Sequence, residues 1–361
     1  MIRLAEVITR YEADLRRHYG MRLRPQHLRA LAAIQRCRTP ASPKFQVACD
    51  SCHHQQLIPH SCGHRHCPRC QQHEGQQWLE RQLNKQLPAE YFLLTFTLPA
   101  ELRALARAAP RVVYDLLLGC SWETVRTFAH NDRRLRGLPG AIAVLHTCTR
   151  QLDYHPHVHL VVPGAAIDQA HRQWRTKRGY LFPERALAKV FRAKLLAALA
   201  AAGVTLPARQ PKAWIAHCQS AGSGKSALIY LGRYLYRGVI RECDILACDA
   251  GTVRFRYRDA KSGKIAERIV PGAQFLWLVL QHVLPKGFRR AQLRLFASEP
   301  QTPDRLAAPA AEVRAGREPA AQQTPTVHPL PLLRRADGDR KHPDPGTDRN
   351  PCACIGSAVI V

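Results

Sequence analysis

The sequence predicts an α+β fold, and three observations carry that prediction. Strand-like and helix-like segments both occur, but without the strict alternation that a parallel sheet demands. The first 36 residues read as helix alone. Beyond Arg290 the periodic texture ends, and residues 301–350 are dense in Pro, Ala, Asp, Arg and Gln with almost no aromatic residues. Such a composition cannot bury enough apolar surface to offset the entropy of ordering, so a disordered C-terminal tail is expected.

Residues 2–18 and 25–36 read as basic helices. Residues 37–75 are rich in Cys, His, Pro and Gln and show little periodicity, and 75–87 read as a helix that ends at Pro88. Residues 91–98, YFLLTFTL, have the β-branched and aromatic content of a strand, which Pro99 stops. Two helices are expected over 100–118 and 121–135, followed by a turn at 137–140. Residues 141–147 and 158–162 then read as an antiparallel pair. An Ala/Leu-rich helix is expected over 184–202, a short strand over 213–218 and a helix over 226–237. A hairpin over 252–259 and 265–270 turns at Ser262-Gly263, and a last helix covers 275–284. The domains drawn from this are residues 1–90, 91–290 and a tail over 291–361.

Fifty-four Lys and Arg stand against 27 Asp and Glu, a net charge of +27 spread along the chain. Solubility needs far less, so a polyanion partner is expected, most simply nucleic acid. Residues 1–10 carry charges and lack the apolar run of a secretory leader. The longest apolar stretches, such as 195–204, are far short of a membrane span. Thirteen cysteines in such a chain read as metal-bound thiolates in a reducing cytosol rather than as a disulfide framework.

Cys49-x2-Cys52 and Cys67-x2-Cys70 are separated by fourteen residues. Two knuckles at that spacing can wrap one tetrahedral Zn²⁺ and fill all four positions, which makes a structural site. Buried free cysteines would not account for two identical spacings. Cys62 and His66 lie between the knuckles and leave room for a ligand exchange or a second site. Arg65 and Arg69 stand beside them, suited to phosphate contact.

The second feature is the run YHPHVHLVVP over 154–163. On a strand, His157 and His159 share a face, with Val158 turned to the other. Two imidazoles one pleat apart can share a divalent cation and leave positions open for substrate oxygens. The third feature is YLGRY over 230–234, which places Tyr230 and Tyr234 on one face of a helix. Lys225, Arg233 and Arg237 are basic residues of the same segment. Gly222-Ser-Gly-Lys-Ser226 suggests a nucleotide-binding loop, but Gln219 stands where that pattern needs a glycine, so no ATP is expected.

Together these runs resemble the HUH endonucleases, named for His, a bulky hydrophobic residue, then His. Within them the chain is similar to the rolling-circle insertion-sequence transposases that carry an N-terminal zinc-binding domain. The likeness covers residues 1–290 in order. It includes Cys-Arg-Thr at 37–39, the cysteine module, YFLLTFTLP at 91–99, the histidine strand, YLGRY at 230–234 and QHVLPKGF at 281–288. The resemblance implies an antiparallel-sheet catalytic core behind a helical zinc-binding, DNA-recognition domain. It implies that Tyr230 and Tyr234 attack single-stranded DNA at the transposon ends, leaving a 5′-phosphotyrosine and a free 3′-hydroxyl. It further implies Mg²⁺ or Mn²⁺ on His157 and His159. The third ligand stays open among Gln151, His155 and His146, with Gln151 carried as the candidate. A bacterial cytoplasmic, nucleoid-associated protein is expected. The alternatives are a non-catalytic zinc-dependent DNA-binding remnant and a rolling-circle replication initiator.

The likeness stops at Arg290. Codons synonymous with residues 291–300, GCG CAA CTA CGG CTT TTT GCA TCC GAA CCC, read one nucleotide later encode Arg-Asn-Tyr-Gly-Phe-Leu-His-Pro-Asn. That run matches the motif expected there in the family. A frameshift near Arg290 is therefore expected, with residues 291–361 out of frame and no zinc role for Cys352 or Cys354. The nucleotide sequence of the gene tests this.

Overall fold

The computed structural model describes residues 1–48, 52, 54–179, 181–209, 214–236, 238–260 and 262–294. Its helices and strands run in the order α1 (Leu4–Tyr19), α2 (Pro25–Arg36), β1 (Lys44–Ala48), β2 (Gln55–Pro59), α3 (Gln72–Leu83), β3 (Tyr91–Thr97), α4 (Arg103–Ala108) and α5 (Pro110–Asn131). They continue as β4 (Leu138–Pro139), β5 (Ala141–Cys148), β6 (Tyr154–Pro163), β7 (Ala165–Asp168), β8 (Gln173–Thr176), α6 (Glu184–Ala201), β9 (Ala216–Ser220) and α7 (Lys225–Tyr236). The last are β10 (Ile245–Asp249), β11 (Thr252–Arg258), β12 (Ile265–Pro271), α8 (Gly272–Leu280) and β13 (Ala291–Arg294). The fold is α+β as expected. Among the described residues no helix is long and apolar enough to cross a membrane.

Among the described residues the chain divides into two compact units, residues 1–37 with 61–294 and residues 38–60. The described part of the second is the hairpin β1–β2, paired antiparallel from Lys44↔Pro59 to Ala48↔Gln55, with the Phe45 and His60 rings edge-on at 4.9 Å.

The centre of the first unit is an antiparallel sheet in the order β13-β5-β6-β3-β9. Strand alternation divides its side chains between two faces. Leu94, Phe96, Ala143, Leu145, Val158, Leu160 and Val162 point to one face and bury with Val113, Leu117 and Val125 of α5 and Phe191 and Leu195 of α6. Val144, Val161 and Leu93 point to the other, packed with Ala227, Leu228 and Leu231 of α7 and Trp78 of α3. Each fully buried Leu or Phe contributes roughly 1.5–3 kcal/mol, so both faces hold β6 in register. A one-residue slip would turn His157 and His159 into the apolar layer under α5.

A second core joins α1, α2 and α8 to the sheet β10-β11-β12. Here Gly272 opens α8 directly against Tyr11, where an added Cβ would sit 2.3 Å from the ring. Only glycine permits that approach.

His27 seals α2 in the same region. It is 5% exposed, and its Nδ1 accepts the backbone N–H of Arg24 at 3.2 Å, so the ring is held neutral. Burial lowers its pKa to about 4. The unfolded imidazole takes a proton below about 6.5. The stability contributed by neutral His27 is therefore fully present above pH 6.5, declines below it and is lost by about pH 4. A His27→Gln variant keeps a side-chain acceptor for the Arg24 N–H without the titration. It is expected to match the parent near pH 7.5 and to lose less stability between pH 6.5 and 4.5 in urea unfolding. An acid loss equal to the parent's would contradict this.

Two expectations need correction. The helix break falls at Ala109, not at Gly119: Pro110 occupies the first helical position, where its missing N–H costs nothing, and α5 runs through Gly119. The sheet also extends past Arg290, since Ala291–Arg294 pairs with β5 through Ala291↔Val144 to Arg294↔Ala141. The remainder of the expected tail, from residue 295, lies outside the described residues.

Candidate metal centres and tyrosine pair

His157 and His159 share one face of β6, as their spacing predicts. The cross-strand register places His146 of β5 opposite His157 and Thr95 of β3 opposite His159. The three histidines offer ring nitrogens within 4.8 Å of one another. Their second nitrogens orient them: His157 Nδ1 donates to the His155 carbonyl at 2.7 Å, and His159 Nδ1 meets the Thr95 hydroxyl at 2.9 Å. Such outer contacts fix which nitrogen remains for a metal. His146 Nε2 is buried with no hydrogen-bond partner. Burial lowers His157 to about 4 and His159 to about 3, and it carries His146 well below the imidazole range. Three neutral imidazoles with an orphaned buried nitrogen fit a divalent cation.

Gln151, the expected third ligand, is turned elsewhere. Its Nε2 donates to the Tyr257 hydroxyl at 3.1 Å. His155 also stays outside the cluster, with its Nδ1 taken by Arg103 at 2.7 Å. His146 completes the triad instead. Sequence placed it on the partner strand; the unbroken β5–β6 register from Ile142↔Val161 to His146↔His157 is what sets it opposite His157.

α7 lays its tyrosines over this triad. The Tyr230 ring lies 5.7 Å from His146 and 5.6 Å from His159, and the residue is 45% exposed. Tyr234 is partly buried and stacks on His146 at 3.4 Å and 11°. The bulge leaves the Thr147 N–H without a strand partner, and the Tyr234 hydroxyl accepts it at 2.8 Å. The Arg290 guanidinium lies 5.3 Å from the centroid of the Tyr234 ring. Burial raises the pKa of both phenols; for Tyr230 the exposed Arg150 offsets part of this. Arg150 and Arg290 carried no signal in the sequence beyond their charge.

The zinc module differs from its expected ligand set. Cys37, Cys62, Cys67 and Cys70 bring their sulfurs within 4.8 Å of one another. Cys70 lies 3.4 Å from Cys37 and 3.7 Å from Cys62. A tetrahedron of thiolates at 2.3 Å from zinc has edges of about 3.8 Å, so the cluster fits a structural Zn²⁺. Cys67 and Cys70 are therefore placed as predicted, and Cys62 is a full member. Cys52 is exposed and is not among the four, while Cys49 lies outside the described residues. His66 is buried away from the cluster, where its Nε2 accepts the Leu284 N–H at 3.4 Å. Cys37 sits at the C-terminal end of α2, with no nearby cysteine to announce it. Three of these thiols hold their protons unequally: a hydrogen bond from Cys67 pulls Cys62 down to about 5, that same bond pushes Cys67 up, and burial raises Cys37 to about 11. Zinc would displace the remaining protons.

Among the basic candidates, Lys225 and Arg233 are exposed on α7, and Arg237 lies outside the described residues. Arg65 is exposed and donates to the Phe288 carbonyl at 2.7 Å. Arg69 faces Glu242 at 3.9 Å, so part of its charge is already matched.

Two family models match the chain. One, described as a putative transposase, covers residues 140–296 and so contains the histidine triad and both tyrosines. The other, described as a transposase zinc-binding domain, covers residues 7–98 and so contains the cysteine cluster. A putative transposase, y4qJ, of Sinorhizobium fredii (strain NBRC 101917 / NGR234) is 36% identical over 310 residues, spanning 77% of this chain and 78% of that protein. The transposase for insertion sequence element IS801 of Pseudomonas savastanoi pv. phaseolicola is 28% identical over 264 residues, spanning 66% and 62%. Among solved structures, a bacterial tRNA(His) guanylyltransferase (Thg1)-like protein in complex with ATP is similar at 12% identity. That match covers 58% of this chain and 98% of the other, and its TM-score of 0.23 is too low to carry an argument.

Proposed function

The chain belongs to the insertion-sequence transposases that carry an N-terminal zinc-binding domain, and from that premise we propose that it cuts and rejoins single-stranded DNA through a tyrosine–phosphate bond. The observation that carries this reading is the juxtaposition of Tyr230 with three neutral, pre-oriented histidines. A divalent ion on His146, His157 and His159 would polarise the scissile phosphate and offset its charge. Imidazole ligation favours Mn²⁺ over Mg²⁺ in affinity, while availability favours Mg²⁺.

The chain's own residues supply the rest. The exposed Tyr230 phenol is accessible to a strand lying over the triad, and its proton can leave to solvent. Its oxygen bonds to phosphorus as the bond to the 3′-oxygen breaks, and that oxygen leaves as a hydroxyl. The phosphotyrosine conserves the phosphodiester energy, so rejoining needs no ATP. Tyr234 acts second in this scheme, because its hydroxyl is engaged by Thr147 and its ring by His146. The transposon ends are the substrate, and residues 291–361 are proposed to be read out of the ancestral frame.

The test incubates the protein with single-stranded DNA and Mn²⁺ or Mg²⁺ and measures the covalent adduct. His146→Ala is expected to lower adduct formation by at least about 100-fold, the scale of losing one strong electrostatic contributor. Gln151→Ala is expected to stay within a few-fold of the parent. The reverse ranking would return the third-ligand role to Gln151. DNA binding that needs neither Mn²⁺ nor Mg²⁺, with no adduct from the parent protein, would leave a zinc-dependent binding module.

A further inference from the structure

Arg290 is 8% exposed, yet it forms no ion pair among the described residues. The one hydrogen bond its side chain makes among the described residues is a long one, from an Nη atom to the Tyr234 carbonyl at 3.4 Å. Nε and the other terminal nitrogen are buried with no hydrogen-bond partner among the described residues. Those two atoms carry three N–H donors. A guanidinium taken out of water is held at a cost of several kcal/mol unless an anion meets it.

Among the described residues no carboxylate pairs with it. Tyr234 lies under the guanidinium, and His66, His146 and His282 nearby are kept neutral by burial. A neighbouring charge has the same sign: Arg65, from the loop between Cys62 and Cys67, donates to the Phe288 carbonyl, two residues from Arg290, and lies within electrostatic reach of it. Asp153, the acidic residue of this region, is committed to Arg268 at 2.9 Å. The fold thus brings two guanidinium groups together, one from the zinc loop and one from the strand end beside the tyrosine helix, with no carboxylate paired to Arg290 among the described residues.

We infer that Arg290 and Arg65 form a phosphate subsite for the DNA backbone, beside the ring of Tyr234. It joins the zinc module to the tyrosine pair through one shared phosphodiester. The identity of the anion rests on the strand-transfer reading; the existence of the subsite does not, because binding can be measured without cleavage.

The test is the salt dependence of binding to a single-stranded oligonucleotide by the full chain loaded with zinc. Each phosphate neutralised contributes about 0.7 to the slope of log affinity against log salt for single strands. Arg290→Gln is expected to reduce the slope by about 0.7, and Arg290→Lys to retain it. A packing role alone would lower the melting temperature in both variants and leave the slope unchanged, which overturns the subsite. Arg65→Gln, at an exposed position, gives the same readout if Arg290→Gln does not fold; an unaltered slope there overturns it equally. Inorganic phosphate supplies the second arm. Stabilisation by phosphate with no change in the DNA slope would assign the site to a free anion and reject the DNA contact. Loss of the covalent adduct assay in the parent would remove the strand-transfer reading while leaving the slope result to stand.

Discussion

Tyr230→Phe is expected to abolish the covalent DNA adduct, by at least about 100-fold, while leaving the fold intact. The two halves of that expectation have separate causes. The ring of Tyr230 provides the packing against His146 and His159, and phenylalanine keeps it. The hydroxyl belongs to a residue 45% exposed, so its removal should change stability by no more than about 0.5 kcal/mol. Tyr234→Phe should behave in the opposite way. The Thr147 N–H, freed from the strand by the bulge, loses its acceptor inside a residue that is 0% exposed. Orphaning a buried donor costs about 1–3 kcal/mol, so this variant should unfold at lower denaturant yet still form the first adduct within a few-fold of the parent. Rejoining, which needs a second nucleophile, should fail in it. Gel analysis of adduct and rejoined product with urea unfolding of the same two variants checks all four outcomes. An adduct that survives in Tyr230→Phe and disappears in Tyr234→Phe would exchange the roles of the two residues.

The contrast between the two tyrosines marks where sequence stopped being informative. Spacings inside one element were legible, because the period of a helix or strand is fixed. Tyr230 and Tyr234 share a helix face, and His157 and His159 share a strand face, as periods of 3.6 and 2 require. Relations between elements were not legible. That His146 faces His157 depends on the β5–β6 register, and the orphaned Thr147 N–H depends on a bulge just beyond it; no local pattern records either. The engagement of Tyr234 depends on the same bulge. The α+β class and the central antiparallel pair could be read from local periodicity, while the five-stranded order needed long-range pairing. The break at Ala109 escapes a local reading because Pro110 can begin a helix as readily as end one.

Cys37 shows the same boundary in the zinc module, and it carries the other large effect. It lies 25 positions before Cys62, at the end of α2, with no second cysteine in its turn. Cys49 and Cys52 have the spacing of a knuckle, so local pattern favours them. Tertiary packing favours Cys37: it is buried in the core that joins α1, α2 and α8, with Cys67 and Cys70 in the same cluster. Zinc at that point ties the end of α2 to the loop that carries Arg65. Structural zinc contributes apparent binding energies of about 10–16 kcal/mol in small domains, so losing one of four thiolates should remove a large part of the module's stability. Cys37→Ser is expected to lower bound zinc from about one ion per chain to near none. Its melting temperature should fall to that of the parent treated with a chelator, and chelator should then have no further effect on it. Cys52→Ser, at an exposed position outside the cluster, should keep both the zinc and the melting temperature. Metal analysis and thermal melts of the two variants decide between the ligand sets: zinc retained in Cys37→Ser and lost in Cys52→Ser would restore the paired knuckles. Retention in both would instead mean that a further residue can replace a lost thiolate; His64, close in sequence to Cys62 and kept neutral by burial, is a candidate donor.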